Sequence, residues 1–145
     1  MTSRTLANRI ANFMLSKKAQ NVVIADLRKV TPTADFFVIC SADSDTQVKA
    51  IADAVQEGTA GIGSPVWKYE GYQALQWVLL DFVDVVAHVF YKEARSFYNL
   101  ERLWGDARLK HVSDEGEREV GRELRKTTAR RHSARKKSLS ARKSE

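Results

Sequence analysis

The 145-residue chain, 43% hydrophobic with three Trp and six Phe, is long and apolar enough for one domain with a real core and an appendage. Its single cysteine, Cys40, excludes an internal disulfide, no apolar run approaches the ~18 residues of a membrane span, and the N-terminus lacks an apolar signal-peptide core, so a soluble cytoplasmic protein is expected. The net charge of +6 divides unevenly: residues 121–145 hold ten Lys or Arg against two Glu, a net of +8, whereas residues 1–120 carry a net of −2.

Leu6, Ile10, Phe13 and Met14 recur at i, i+4, i+7 and i+8 and mark one face of an opening helix. Residues 21–28 and 35–41 are apolar runs of strong β formers on either side of a loop containing Pro32, and they read as strands buried largely on both faces. Ser44 and Gln47 have the spacing of a capping box. They open a helix whose inner face is Val48, Ile51, Ala52 and Val55, with Gly58, Gly61, Gly63 and Pro65 as its stop. Residues 66–70 form a third strand.

Residues 77–82 and 85–91, rich in Val, Leu, Phe and Trp, are separated by Val83 and Asp84, which predicts an antiparallel hairpin with a tight turn. A β-branched residue is a poor occupant of positive φ, so a type I′ turn with Val83 in a left-handed position is not expected. After Lys92 the period changes. Ala94, Phe97, Leu100, Leu103 and Trp104 fall mostly three or four apart, as on one face of a short helix that Gly105 can end. The order of elements implies an α/β domain, a mixed sheet with packed helices.

Beyond residue 110 the reading changes to a basic C-terminal extension, residues 111–145, expected to be disordered apart from a helix over about 114–126. Arg130, Arg131, Arg135, Lys136 and Lys137 alternate with Ser, Thr and Ala, and the segment has almost no apolar side chains to offset the entropy of ordering.

Several residues invite a chemical reading, and each has a plainer one. Asp43 and Asp45 flank Ser44 and could hold a divalent cation beside a phosphate. The same residues suit a helix N-terminus, where carboxylates meet free N–H groups and the positive end of the helix dipole, and this second reading is preferred. The glycines of residues 58–63 follow a helix, whereas a dinucleotide fingerprint precedes one. Cys40 lies in an apolar strand with no histidine near it in sequence and reads as a small buried hydrophobe. His88, His111 and His132 lack metal-ligand spacing. Alternation puts His88 on the strand face of Val86 and Phe90, as a partly buried histidine with its hydrogen bonds satisfied. No cofactor or metal is expected. Trp77, Tyr91, Tyr98 and Trp104 are more aromatic surface than a small core requires, and Trp and Tyr are enriched at binding hot spots.

Read in order, Asp26-Leu27-Arg28, residues 34–39, residues 44–53, Glu70-Gly71 and the segment from Gln76 to Ala107 resemble the ribosomal silencing factor family, also called Iojap-related, over roughly residues 5–107. Two positions depart from the family pattern. Val83 stands where a Gly usually precedes the turn Asp, and Ala42 where a Gly usually follows the second strand. The resemblance implies a nucleotidyltransferase-like α/β fold over residues 1–110 without catalytic function. It implies binding to ribosomal protein uL-fourteen, a small basic β-barrel of the large subunit, and a steric block to joining of the small subunit that represses translation in starvation or stationary phase.

On that reading the contact group is Trp77, Asp81, Asp84, Glu93, Tyr98, Glu101, Trp104 and Asp106, with Leu79 or Leu80 as an apolar anchor. The residues from Arg130 to Lys137 named above are candidates for a weaker contact to ribosomal RNA, and a homodimer is an expected form of the free protein. Two alternatives from other classes stand beside it: an RNA-binding ribosome-assembly factor acting through the basic tail, and a nucleotidyltransferase using Asp43 and Asp45.

Overall fold

The computed structural model describes residues 1–98, 107–113 and 116–119, with the backbone alone at 96–98 and 116–119. Its elements in chain order are α1 (Ser3–Ser16), β1 (Gln20–Asp26), β2 (Phe36–Ala42), α2 (Asp45–Gly61), β3 (Lys68–Glu70), β4 (Trp77–Asp81), β5 (Val85–Tyr91), α3 (Lys92–Tyr98), β6 (Arg108–Ser113) and β7 (Gly116–Glu119). The strands form a seven-stranded sheet in the order β3-β4-β5-β2-β1-β6-β7. Every pairing is antiparallel except that of β2 with β5, which is parallel. The chain is therefore a mixed α/β domain.

Helices α1 and α2 share one face of the sheet. Thr2 caps α1, its hydroxyl accepting from the Thr5 N–H at 3.1 Å, and Ala7, Ile10, Ala11 and Met14 point inward. Ser44 caps α2 in the same way, accepting from the Gln47 N–H, while the Gln47 side chain reaches back to accept from the Asp43 N–H at 2.7 Å. This is the expected capping box with its return arm shifted by one residue. The four residues predicted for the inner face of α2 are all fully buried, against Val38, Cys40, Val78, Leu80, Ala87 and Val89 from the strands.

The glycines end α2 as expected: the helix runs through Gly58 to Gly61 and Gly63 follows at φ +81°, while a Cβ at Gly58 would lie 2.6 Å from the Phe13 ring of α1. Three expectations are corrected. Val83 does take a left-handed conformation, φ +77°. The Asp84 N–H donates to the Phe82 carbonyl around it at 3.1 Å, the signature of a tight three-residue turn. Two further strands, β6 and β7, extend the sheet, so residue 110 lies inside a strand rather than at a boundary. Finally, the helix expected over 114–126 gives way at residues 116–119 to β7. A short Arg/Lys-rich strand offers little alternation to read, and β6 is held by its pairing with β1 rather than by its own propensity. Among the described residues no helix is long and apolar enough to cross a membrane.

Candidate functional site

The second face of the sheet, opposite α1 and α2, gathers an aromatic cluster. Alternation along the hairpin brings Trp77, Leu79 and Asp81 of β4 to it, and antiparallel register sets them opposite Phe90, His88 and Val86 of β5. Parallel register then brings Phe37 and Ile39 of β2 alongside. The Trp77 and Phe90 rings stack at 5.1 Å with an interplanar angle of 23°, and Phe37 meets the His88 ring edge-on at 4.5 Å. Ala94 of α3 packs on Ile39 and Phe90, which are fully buried, whereas Trp77 is half-buried. Arg95 of the same helix reaches Ser41 Oγ at 3.0 Å and the Asn21 carbonyl, tying α3 to β2 and β1.

His88 is the polar centre of this cluster. The indole Nε1–H of Trp77 donates to its Nδ1 at 3.0 Å, which leaves the proton of the neutral ring on Nε2. Among the described residues that atom is buried without a hydrogen-bond partner, and burial holds the imidazole neutral by pushing its pKa down to about 3. The sequence placed His88 correctly on the face of Val86 and Phe90, but it is buried rather than partly exposed and only half satisfied. Cross-strand partners eleven residues apart become visible once register is known.

The expected contact residues divide. Trp77, Leu79 and Asp81 come together on the second face. Leu80 points the other way and is fully buried in the core beneath the helices, so of the two anchor candidates only Leu79 reaches this surface. Asp81 is tied into the turn, its Oδ1 accepting from the Val83 N–H at 2.7 Å. Asp84 is exposed at the turn itself, where its carbonyl accepts from the Asp35 and Phe36 amides. Glu93 is exposed in the first turn of α3, at the opposite end of β5 from Asp84. Glu101, Trp104, Asp106 and the tail residues Arg130, Arg131, Arg135, Lys136 and Lys137 lie outside the described residues, as does the side chain of Tyr98. Half-buried Phe37 and Val86 on the same face were not singled out from sequence, although alternation in their strands carries that signal.

The other chemical candidates are occupied by structure. Asp43 accepts from Gln20 Nε2 at 2.9 Å and lies 3.6 Å from Lys92 Nζ, and Asp45 accepts from the Thr46 N–H. Among the described residues no group of three or more His, Cys, Asp or Glu could hold a metal ion. The Cys40 thiol is fully buried and pushed up to about 12 by desolvation, so it is no nucleophile at neutral pH.

The comparisons with known proteins converge. A family model described as "Ribosomal silencing factor during starvation" matches residues 1–144. The chain is 42% identical to the ribosomal silencing factor RsfS of Halalkalibacterium halodurans over 74% of its length and 92% of that protein. It is 46% identical to RsfS of Bacillus subtilis over 64% of its length and 79% of that protein. A crystal structure of a Chromobacterium violaceum protein superposes with a TM-score of 0.71 at 30% identity, covering 72% of this chain and 88% of the other.

Proposed function

The chain belongs to the RsfS family of ribosomal silencing factors, and from that premise we propose that it binds the large ribosomal subunit through protein uL-fourteen and sterically keeps the small subunit from joining. Translation is thereby repressed in starvation or stationary phase, in the cytoplasm and without any bond being made or broken. The fold is read as nucleotidyltransferase-like on family membership, as a scaffold without the chemistry.

The observation that supports this most is the half-buried Trp77, held by Phe90 on one side and His88 on the other, with Leu79 and Asp81 beside it on the same strand face. An aromatic side chain whose rotamer is already fixed loses little entropy on docking, which suits it as an anchor. Carboxylates at both ends of the hairpin, and the net of −2 over residues 1–120, suit encounter with a basic partner. Tyr98, Glu101, Trp104 and Asp106 extend the proposed contact along the segment after β5, and the basic tail adds a weaker, salt-sensitive contact to ribosomal RNA. In the free state the protein is proposed to pair as a homodimer.

Sedimentation with separated subunits tests the reading. The protein should travel with isolated large subunits and be scarce on joined ribosomes, because joining covers its site. Equal occupancy of both would overturn it.

A further inference from the structure

Among the described residues β3 ends the sheet: β4 pairs with it on one side, and no strand lies on the other. Its three residues, Lys68, Tyr69 and Glu70, are all exposed. Trp67, just before them, is 64% exposed and Tyr69 is 56% exposed, so two uncovered aromatic side chains stand on this edge. The outer side of such a strand offers backbone N–H and C=O groups to any extended chain. The edge is ordered before anything meets it. Tyr69 touches the Tyr72 ring edge-on at 5.3 Å, Gln56 of α2 donates to the Tyr72 hydroxyl at 2.7 Å, and the Lys68 ammonium lies 4.8 Å from the centre of the Trp67 ring.

The order of side chains on this strand is complementary to itself. Two β3 strands paired antiparallel about a twofold axis at Tyr69 match each residue with the one equally far beyond Tyr69 in the other copy. Lys68 then faces Glu70 of the second copy, and Glu70 faces its Lys68, giving two opposite-charge pairs on either side of a Tyr69–Tyr69 aromatic pair. Trp67 comes opposite Gly71, which has no side chain and lies at φ +95°, so the indole has room. Both charges are available for this. Asp81, across from Lys68 on β4, is bonded to the Val83 N–H, Glu70 lies across from Leu79, and Asp53, the carboxylate that faces Tyr72 from α2, is paired with Lys49 at 2.8 Å. Charges of one sign along an edge keep copies of a protein apart. A Lys and a Glu placed symmetrically about the middle residue do the reverse.

We propose that β3 is the surface through which two copies of this chain pair, strand to strand about Tyr69, so that their sheets join into one. The assignment rests on the homodimer proposed above for the free protein and gives it an interface. The shared edge is short and its ion pairs lie at the surface, so the pairing is weak, concentration-dependent and sensitive to salt.

Sedimentation velocity of the full chain, over a range of concentrations at physiological salt, reads the dimer. Lys68→Glu and Glu70→Lys should each weaken it roughly tenfold, because either change alone sets two like-charge pairs across the axis. Mixing the two variants in equal amounts should restore pairing, since every facing pair in the mixed dimer is then of opposite charge. The double variant Lys68→Glu, Glu70→Lys, with the two charges exchanged, should pair as the native chain does. Loss of fold in a single variant cannot produce either recovery. A native chain that stays monomeric at every concentration overturns both the homodimer and this interface. A native dimer that none of the variants alters is joined through another surface, and only the β3 assignment falls. Weakening in both single variants with no recovery in the mixture also overturns the assignment, and is the result expected if the edge instead takes an extended segment of another protein.

Discussion

Trp77 and His88 are directly bonded across the hairpin, indole Nε1–H to imidazole Nδ1 at 3.0 Å, in a site where the histidine is 3% exposed. One bond fixes two things: the rotamer of the tryptophan and the tautomer of the histidine. The second ring nitrogen is buried with no partner among the described residues, a cost of the order of 1–3 kcal/mol.

Acid should find this site. His88 titrates near 6.5 when unfolded and at about 3 when folded, so between those values the unfolded chain binds a proton that the folded chain does not. Its contribution to stability is fully present above about pH 6.5 and is lost as pH falls toward 3, at up to about 1.4 kcal/mol per unit. Urea unfolding at pH 7 and pH 5 should show the native chain losing about 2 kcal/mol more than His88→Leu over that interval. Equal losses would mean that His88 is protonated in the fold.

The tryptophan carries a separable prediction. Trp77→Ala should weaken large-subunit binding by ~1–3 kcal/mol if Trp77 is an anchor. Changing the exposed Asp84 or Glu93 to its amide should mainly slow association and reduce its salt dependence. Surface binding kinetics on immobilised large subunits, with circular dichroism of each variant, measure both. Loss of fold with unchanged affinity per folded molecule would make Trp77 a core residue only.

At the hairpin turn, Val83→Gly should stabilise the protein. Valine at φ +77° holds a left-handed conformation that costs a non-glycine residue roughly 1–2 kcal/mol. Glycine relieves this and returns roughly 0.4–1 kcal/mol through greater freedom in the unfolded chain. A net gain of several tenths to about 1 kcal/mol is expected, read as a raised midpoint in urea. Val83→Ala, which keeps a Cβ at positive φ, should gain less.

Truncation distinguishes the sheet from the tail. A chain ending at residue 110 loses Val112, 7% exposed in the core, and the pairing of Val22 and Val23 with β6. It should be destabilised by about 2–4 kcal/mol, the range for deleting a buried aliphatic side chain. A chain ending at residue 120 keeps both strands and should fold like the full protein. It should still bind large subunits and block joining, with slower association at low salt. Loss of silencing in this shorter, folded chain would place the activity in the basic tail.

The parts of the fold written in local pattern were legible. The inner face of α2 follows from apolar spacing, and Ser44 with Gln47 announces its start. The hairpin follows from two apolar runs and a short gap. What escaped depends on distant partners. Nothing local says that Gly58 leaves room for Phe13, or that residues 108–113 complete the sheet beside β1. Val83 escaped for a different reason. The propensity argument against positive φ is sound, but the surrounding turn, fixed by Asp81 and by the Asp84 carbonyl that receives two amides of the β2 start, overrides it. At the site, aromatic residues could be counted from sequence, whereas the bond between Trp77 and His88 needed the register.

The place of β6 beside β1 also governs how the protein comes into being on the ribosome that makes it. β1 is complete at residue 26, but its second neighbour begins at residue 108. The parallel neighbour of β2 likewise waits for residues 85–91. Both central pairings therefore close long loops, the kind of contact that slows folding. A nascent chain that has not yet released residue 113 from the exit tunnel holds β1 with an unpaired edge, a site for wrong pairing. The sheet therefore cannot close around β1 until residues 108–113 have been made and released.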